Sequence, residues 1–424
     1  MFRTIARYGA RHVPGSSGAL FKLLFGPQIV EGPAIREFEQ KFAQYHEVPH
    51  AISASYGRMA FYYILKAFEF PADSAIIVPA LTFWVVPEIA RVAGLKVQFV
   101  DVDPYTFNLD PKQIESAINA NTKAIVPTHL YGQPCDMEPI LKIAGKHNLR
   151  VIEDCAHSIG ATYNGRKTGT FGDAAFFSFQ MLKGLNTYGG GMAITKDGQL
   201  AEKIRKLAEA EPWPEASAVR KKILGGYVQR ACISPHGFTF TMFVAFYIAS
   251  FFGNHDLTRF IWEKIRPLDP LPDSYRKRYS NVQAFIGIKV LEALDGFNET
   301  SRRNAAQLTE GLKEVRSILP PISIPDVSPV YYQYCIRVSD PATLSHRSIR
   351  KGVDLEIMHV DICNKLDLFG DSSSCPGAES TEHTLQLPVY SGLKPKDVER
   401  VLRVVRDASR DLPALEMTPG LQPA

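Results

Sequence analysis

Apolar positions along this chain fall into two patterns, and their alternation predicts most of its elements. Short unbroken runs, such as the strand that opens IIVPALTFWVVPEIA at Ile76, the run from Val151 to Asp154 and the run from Ala174 to Phe179, are bounded by turn residues. They do not alternate with polar positions, as expected of strands buried on both faces of a parallel sheet. Between such runs lie helical patterns. IREFEQKFAQY places Ile35, Phe38, Phe42 and Tyr45 at the spacing of one buried helix face. Strand, turn and helix recur through VQFVDVDPYTFNLDP and TKAIVPTHLYGQPCDM to VIEDCAH, which predicts a mostly parallel sheet with crossover helices. AISASYGRMAFYYILKAF reads as a strand, a glycine turn at Gly57 and a helix whose amino terminus presents free amides and a positive dipole end, suited to a phosphate.

Two regions break that rhythm. Phe238 to Phe252 is almost continuously apolar and aromatic, too short for the roughly 20 residues that span a bilayer, and flanked by Arg220, Lys221, Lys222, Arg230, Arg259, Lys264 and Arg266. It suits a hairpin or helix lying in a membrane interface, and equally a buried subunit interface or a core helix. From Leu291 the chain changes to a long polar helix, the proline-rich PPISIPDVSP, the strand YYQYCIRVS, a helix after Ser345 and a last helix after Pro395, a smaller α+β unit. The expected organisation is an amino-terminal arm (1–30), a large domain (31–290) carrying the apolar insertion at about 207–274, a small domain (291–412) and a polar tail (413–424).

Composition changes this picture little. With 424 residues and 45% hydrophobic content the chain can bury a large core, and a formal net charge of +4 is too slight to argue for nucleic acid. Six scattered cysteines without a C-x-x-C pair fit a reducing compartment, and the expected location is cytoplasmic, with peripheral membrane contact open. The first 30 residues mimic a secretory signal, but Pro14, Gly15, Gly18 and Lys22 interrupt the apolar part. GATYNGRKT nearly spells a phosphate-binding loop, yet Arg166 separates Gly165 from Lys167 and a turn and strand follow, which excludes an ATP site. His129, His147 and His157 lack metal-ligand spacing, and no metal is expected.

The chemistry sits at strand ends. Asp154 closes one buried run, and Lys183 lies five residues after Ser178 at the end of another. Carboxyl ends of strands are where open α/β sheets bind ligands. A buried carboxylate there needs a cationic or hydrogen-bonding partner, and a desolvated lysine becomes an amine nucleophile. Pyridoxal phosphate supplies what both lack: a ring nitrogen that needs an anion, an aldehyde that needs an amine, and a phosphate that needs donors. A structural ion pair with a surface lysine would explain the two residues taken alone.

The ordered series Glu153, Asp154, Ala156, His157, Gly160, then Gly172, Asp173, then Ser178, Phe179, Lys183, Gly190, Gly191 resembles the DegT/DnrJ/EryC1/StrS family of sugar aminotransferases. His129, Tyr131, Gly132, the helix SNVQAFIGIKVLEAL and the segment CPGAESTEHTLQLPVYSGL extend the resemblance over nearly the whole chain outside the first 30 residues and 207–274. The resemblance implies a fold-type-I PLP-dependent transferase, with a mostly parallel seven-stranded sheet between helices in the large domain and a smaller carboxyl-terminal α+β domain. It implies that Lys183 carries pyridoxal 5′-phosphate and moves the proton, that Asp154 keeps the ring nitrogen protonated, and that His157 sits against the ring. Ser178, with the amides of Gly57 and Arg58, would anchor the phosphate, and Phe83 would stack on the ring. The implied reaction moves an amino group from an amino acid, L-glutamate by preference, to a keto-sugar, commonly nucleotide-linked, in a homodimer. A lipid-linked or membrane-proximal acceptor is the alternative left open by the insertion; dehydratase, deoxygenase or non-catalytic members form a second, against which Lys183 and Asp154 argue. The sequence departs from the family in three places: Arg58 replaces a hydroxyl residue, Arg276 replaces an asparagine that reaches the neighbouring subunit's phosphate, and His359, Asp361 and Asn364 replace a tyrosine- and proline-rich substrate loop.

Overall fold

A computed structural model describes residues 4–9, 11, 17–252, 263–357 and 360–415. The predicted strands form one seven-stranded sheet, in spatial order His50–Ala54, Gly191–Thr195, Ala174–Ser178, Arg150–Asp154, Thr122–Ile125, Ala75–Pro79 and Lys96–Val100. Gly191–Thr195 runs antiparallel to both neighbours; every other pairing is parallel. The strand Ala75–Pro79 is buried along its whole length, which is why its sequence is uniformly apolar. Helices cover both faces. Phe61, Ile64, Trp84 and Ile204 pack on one, and Phe38, Phe42, Phe177 and Ile288 on the other.

A second sheet is antiparallel throughout, in the order Ile318–Leu319, Tyr334–Val338, Thr384–Leu387, Glu356–Ile357. Its own core includes Leu308, Ile336, Leu385 and Val401. The near-phosphate-loop segment is a short hairpin, Thr162–Tyr163 against Arg166–Lys167, whose outer neighbour is Val327–Ser328.

The apolar insertion is helical: Ala216–Ile233, Pro235–Phe240 and Met242–Ala249. Phe238, Phe243 and Phe246 are buried in a small cluster with Ala6 of the amino-terminal arm and Ile349 of the helix Pro341–Arg350. The arm is further fixed by Arg7, whose guanidinium holds Asp354 through two hydrogen bonds of 2.7 and 2.6 Å. Most of the arm's first residues, 253–262 of the insertion, His359 and the tail beyond 415 lie outside the described residues. Among the described residues no helix is long and apolar enough to cross a membrane.

Candidate active site

Three carboxyl-end strand termini and one helix start converge at the middle of the large sheet. Glu153 and Asp154 are adjacent on one strand, so the pleat sends their side chains to opposite faces. Glu153 is fully buried and accepts hydrogen bonds from the amides of Gly169 (2.7 Å), Phe171 (2.7 Å) and Gly172 (2.8 Å) and from His129 Nε2 (3.0 Å). Burial disfavours its charge, but His129 and these amides outweigh that and hold the carboxyl below its ordinary range. His129 Nδ1 accepts from the Cys135 amide (3.0 Å), so Nε2 carries the proton it gives to Glu153. Although His129, Glu153 and Cys155 lie close enough to suggest a metal set, both ring nitrogens of His129 are thus engaged.

Asp154 has a lighter harness. Its Oδ1 accepts from the Ala156 amide at 3.0 Å, with a further hydrogen bond from Thr128. Desolvation pushes its pKa up to about 6, opposed by the Ala156 amide and by Lys183. Lys183 follows the strand Ala174–Ser178 in a turn closed by its own amide on Gln180 O. Desolvation pulls its amine down to about 8, and Asp154 resists. Among the described residues no hydrogen bond or ion pair joins the two, although each feels the other's charge.

Tyr332, from the lead into the strand Tyr334–Val338, closes the site from the second sheet. Lys183 Nζ stands 4.8 Å from the centre of its ring, and the His157 imidazole stacks on it at 4.2 Å and 28°. The Tyr131 amide donates to His157 Nδ1 at 3.3 Å, and burial beside Lys183 keeps the imidazole neutral, so its proton is on Nε2.

The helix Gly57–Phe68 begins beside Ser178, and no side chain caps it. A Cβ on Gly57 would stand 2.9 Å from both Phe177 O and Ser178 Cβ, so only glycine permits this approach. Lys183 and His157 both lie against Tyr332, Lys183 and Asp154 feel each other's charge, and Gly57 packs against Ser178 at the neighbouring strand end. Arg58 is close by but otherwise employed. Its guanidinium holds Glu263 of the insertion through two 2.7 Å hydrogen bonds and donates to the Tyr275 hydroxyl, while lying over Tyr56, Phe83 and Tyr275. Phe83 is half-buried, edge-on to Trp84, with Arg58 5.9 Å from its ring centre. Arg276 is 58% exposed and pairs with Glu211 at 3.3 Å, away from this cluster within the single chain. Asp361 accepts from the Trp84 amide at 3.1 Å and Asn364 donates to Ser373 O, so the predicted substrate loop leans on the Phe83 turn.

Sequence reasoning missed Tyr332, Thr128 and Glu263. Tyr332 sits in a run of tyrosines with no pattern separating it from core residues, and Glu263 lies 205 positions from Arg58.

A carboxylate and a lysine amine at neighbouring strand ends of a mostly parallel sheet, with an uncapped helix start and a serine beside them, define the fold-type-I class of enzymes built around pyridoxal 5′-phosphate. The chain belongs to the DegT/DnrJ/EryC1/StrS aminotransferase family, whose sequence model matches residues 17–226 and 246–406. The family match resumes at 246, so the unmatched part, 227–245, is narrower than the 207–274 expected. Among curated relatives, the chain is 47% identical over 176 residues to GDP-perosamine synthase of Caulobacter vibrioides, a match covering 42% of this chain and 47% of that one. Over 91% of both chains it is 29% identical to the UDP-N-acetyl-3-dehydro-alpha-D-glucosamine 3-aminotransferase of Acidithiobacillus ferrooxidans. Among solved structures, S. venezuelae DesV superposes with a TM-score of 0.74 at 26% identity, covering 94% of this chain and 95% of that one.

Proposed function

We propose that this chain is a pyridoxal-phosphate aminotransferase that takes an amino group from an amino acid, L-glutamate by preference, and delivers it to a keto group on a nucleotide-linked sugar in amino-sugar biosynthesis. The observation that carries the reading is the pairing of Lys183 and Asp154: two desolvated, oppositely charged groups at the ends of neighbouring strands that feel each other's charge without a hydrogen bond or ion pair between them. The family match and the nucleotide-sugar names of the relatives support the substrate class.

The cofactor, when bound, supplies an electron sink that acidifies the hydrogen on the amino-bearing carbon. Asp154 would face the ring nitrogen as a carboxylate and hold a proton there, its charge favoured against desolvation by the Ala156 amide and Lys183. Lys183, with its amine near neutrality in proton affinity, would take and return the proton at the reacting carbon. His157, held neutral with Nε2–H available, would donate to an oxygen on the ring. Ser178 and the start of the Gly57 helix would hold the phosphate. Tyr332 would exclude water from the side of Lys183.

The same reading makes the protein a homodimer in which Arg276 serves the neighbouring subunit, divides the chain at about residue 290 into a large and a small domain, and places it in the cytoplasm, where its six free cysteines stay reduced. The test is the visible absorbance of purified protein before and after L-glutamate. A cofactor band that changes with glutamate in wild type, and fails to respond in Lys183→Ala by a factor of at least about 10³ in rate, is expected. A band that ignores glutamate would mean another donor or reaction.

A further inference from the structure

The helix Met242–Ala249 is apolar on every side. One side is used: Phe243 and Phe246 are 8% and 5% exposed against Phe238, Ala6 and Ile349. On the other side Val244, Ala245, Tyr247 and Ile248 face outward, followed in the next turn by Phe251 and by Phe252 at 80% exposure. Phe240, closing the preceding helix, is 71% exposed. Leu224 and Val228 are exposed one turn apart on the helix Ala216–Ile233, and Phe21 and Phe25 on the helix Ser17–Phe25 that packs against it. A soluble helix normally turns charged residues outward here, and so large a set of outward aromatic side chains calls for an apolar phase to receive it.

Charge identifies that phase. From residue 216 to 252 the chain holds Arg220, Lys221, Lys222 and Arg230 and no aspartate or glutamate. Lys221 is exposed one turn before Leu224; Lys22 lies between Phe21 and Phe25 in sequence; the Arg350 guanidinium lies 4.3 Å from the Phe251 ring centre. A second copy of the chain meeting this patch about a two-fold axis would bring the same basic set against itself with no acid from the segment to pair it. An anionic lipid surface answers both the apolar and the basic side chains. At about 1.5 Å per residue, eight residues span about 12 Å, which lets the helix lie in the interface and not cross a hydrocarbon core of about 30 Å. Residues 227–245, which hold Val228, Phe240 and Val244, are also the part that the family model leaves unmatched.

We propose that Phe240, Val244, Ile248, Phe251 and Phe252, with Arg350 beside Phe251 and Lys221 exposed on the neighbouring helix Ala216–Ile233, form a docking face that seats the enzyme on anionic membranes.

The experiment is co-sedimentation of the full-length protein with vesicles of phosphatidylcholine alone or mixed with phosphatidylglycerol, alongside Phe252→Asp and the triple variant Phe240→Asp, Ile248→Asp, Phe252→Asp. Wild type is expected to pellet with the mixed vesicles, less so at high salt, and the triple variant to lose at least about tenfold in partitioning. The single variant, at a fully outward position, should lose part of the binding with an unchanged thermal midpoint, which separates docking from folding. Equal pelleting of wild type and both variants overturns the proposal. So does a wild type that ignores anionic vesicles, or whose mass in solution falls when the variants are introduced, since the face would then join copies of the chain.

Discussion

The strand-end site and the insertion are both rich in groups that a folded protein must account for, and they account for them in opposite ways. At the site the structural acid is answered locally: Glu153 collects three backbone amides and an imidazole, and His129 is fixed at both nitrogens. In the insertion, half of an apolar helix is covered and half is not. The difference teaches that the Glu153 hub is satisfied within the chain, whereas the insertion leaves one side of its apolar helix uncovered by the chain. One direct link between them is Arg58, which leaves the start of the Gly57 helix to clamp Glu263.

Breaking the comparison on the side of the site should have the larger effect. Glu153→Gln would set a donor against amides that already donate and take the charge from a fully buried hub. A loss of roughly 3–5 kcal/mol in urea unfolding is expected, and a loss below about 1 kcal/mol would show that the loop 169–172 does not depend on the carboxylate.

The buried lysine should weigh on the fold in the opposite sense. Its amine has a lower proton affinity folded, at about 8, than its ordinary value of 10.5. Below the folded value both states carry the proton and the folded state bears the desolvation cost in full; the cost is shed as pH rises from about 8 to 10.5. In cofactor-free protein, Lys183→Met is therefore expected to raise stability at pH 7 by roughly 1–3 kcal/mol and to gain almost nothing above pH 10.5. Melting curves at both pH values check this, and a gain independent of pH would place the benefit in packing. The smallest effect belongs to the link: a double-mutant cycle of Arg58→Ala and Glu263→Ala should return a coupling of about 1–2 kcal/mol, and a value near zero would mean that the insertion is not clamped to the helix start.

Much of this was readable from the chain itself. The strands at 76–79, 151–154 and 174–178 are covered on both faces, so they are apolar except where 151–154 and 174–178 end in Glu153, Asp154 and Ser178, and the seven-stranded, mostly parallel sheet follows from their alternation with helices. Asp154 and Lys183 stood out because they follow apolar runs at strand ends, and Gly57 because it turns a strand into a helix, whereas the roles of His157 and Ser178 came from the family resemblance. The engagement of Arg58 did not, because its partner is remote in sequence and nothing local marks an arginine as occupied. Nor could periodicity choose the free face of the insertion. In a helix apolar all round every face scores alike, and Phe243 and Phe246, the natural positions for a test by sequence, prove to be the covered ones.

The adjacency of Glu153 and Asp154 has one more effect. Because neighbouring residues on a strand project through opposite sides, two acids adjacent along the chain meet different hydrogen-bond partners. His129 acts on both, as the hydrogen-bond partner of Glu153 and as a charge felt by Asp154. The strand thus runs two wirings side by side, one fixed to hold the loop 169–172 in place and the other lightly tied at the strand end. A single-residue deletion upstream in that strand would cross the wires, handing the structural acid to the Lys183 side and the lightly tied one to the loop.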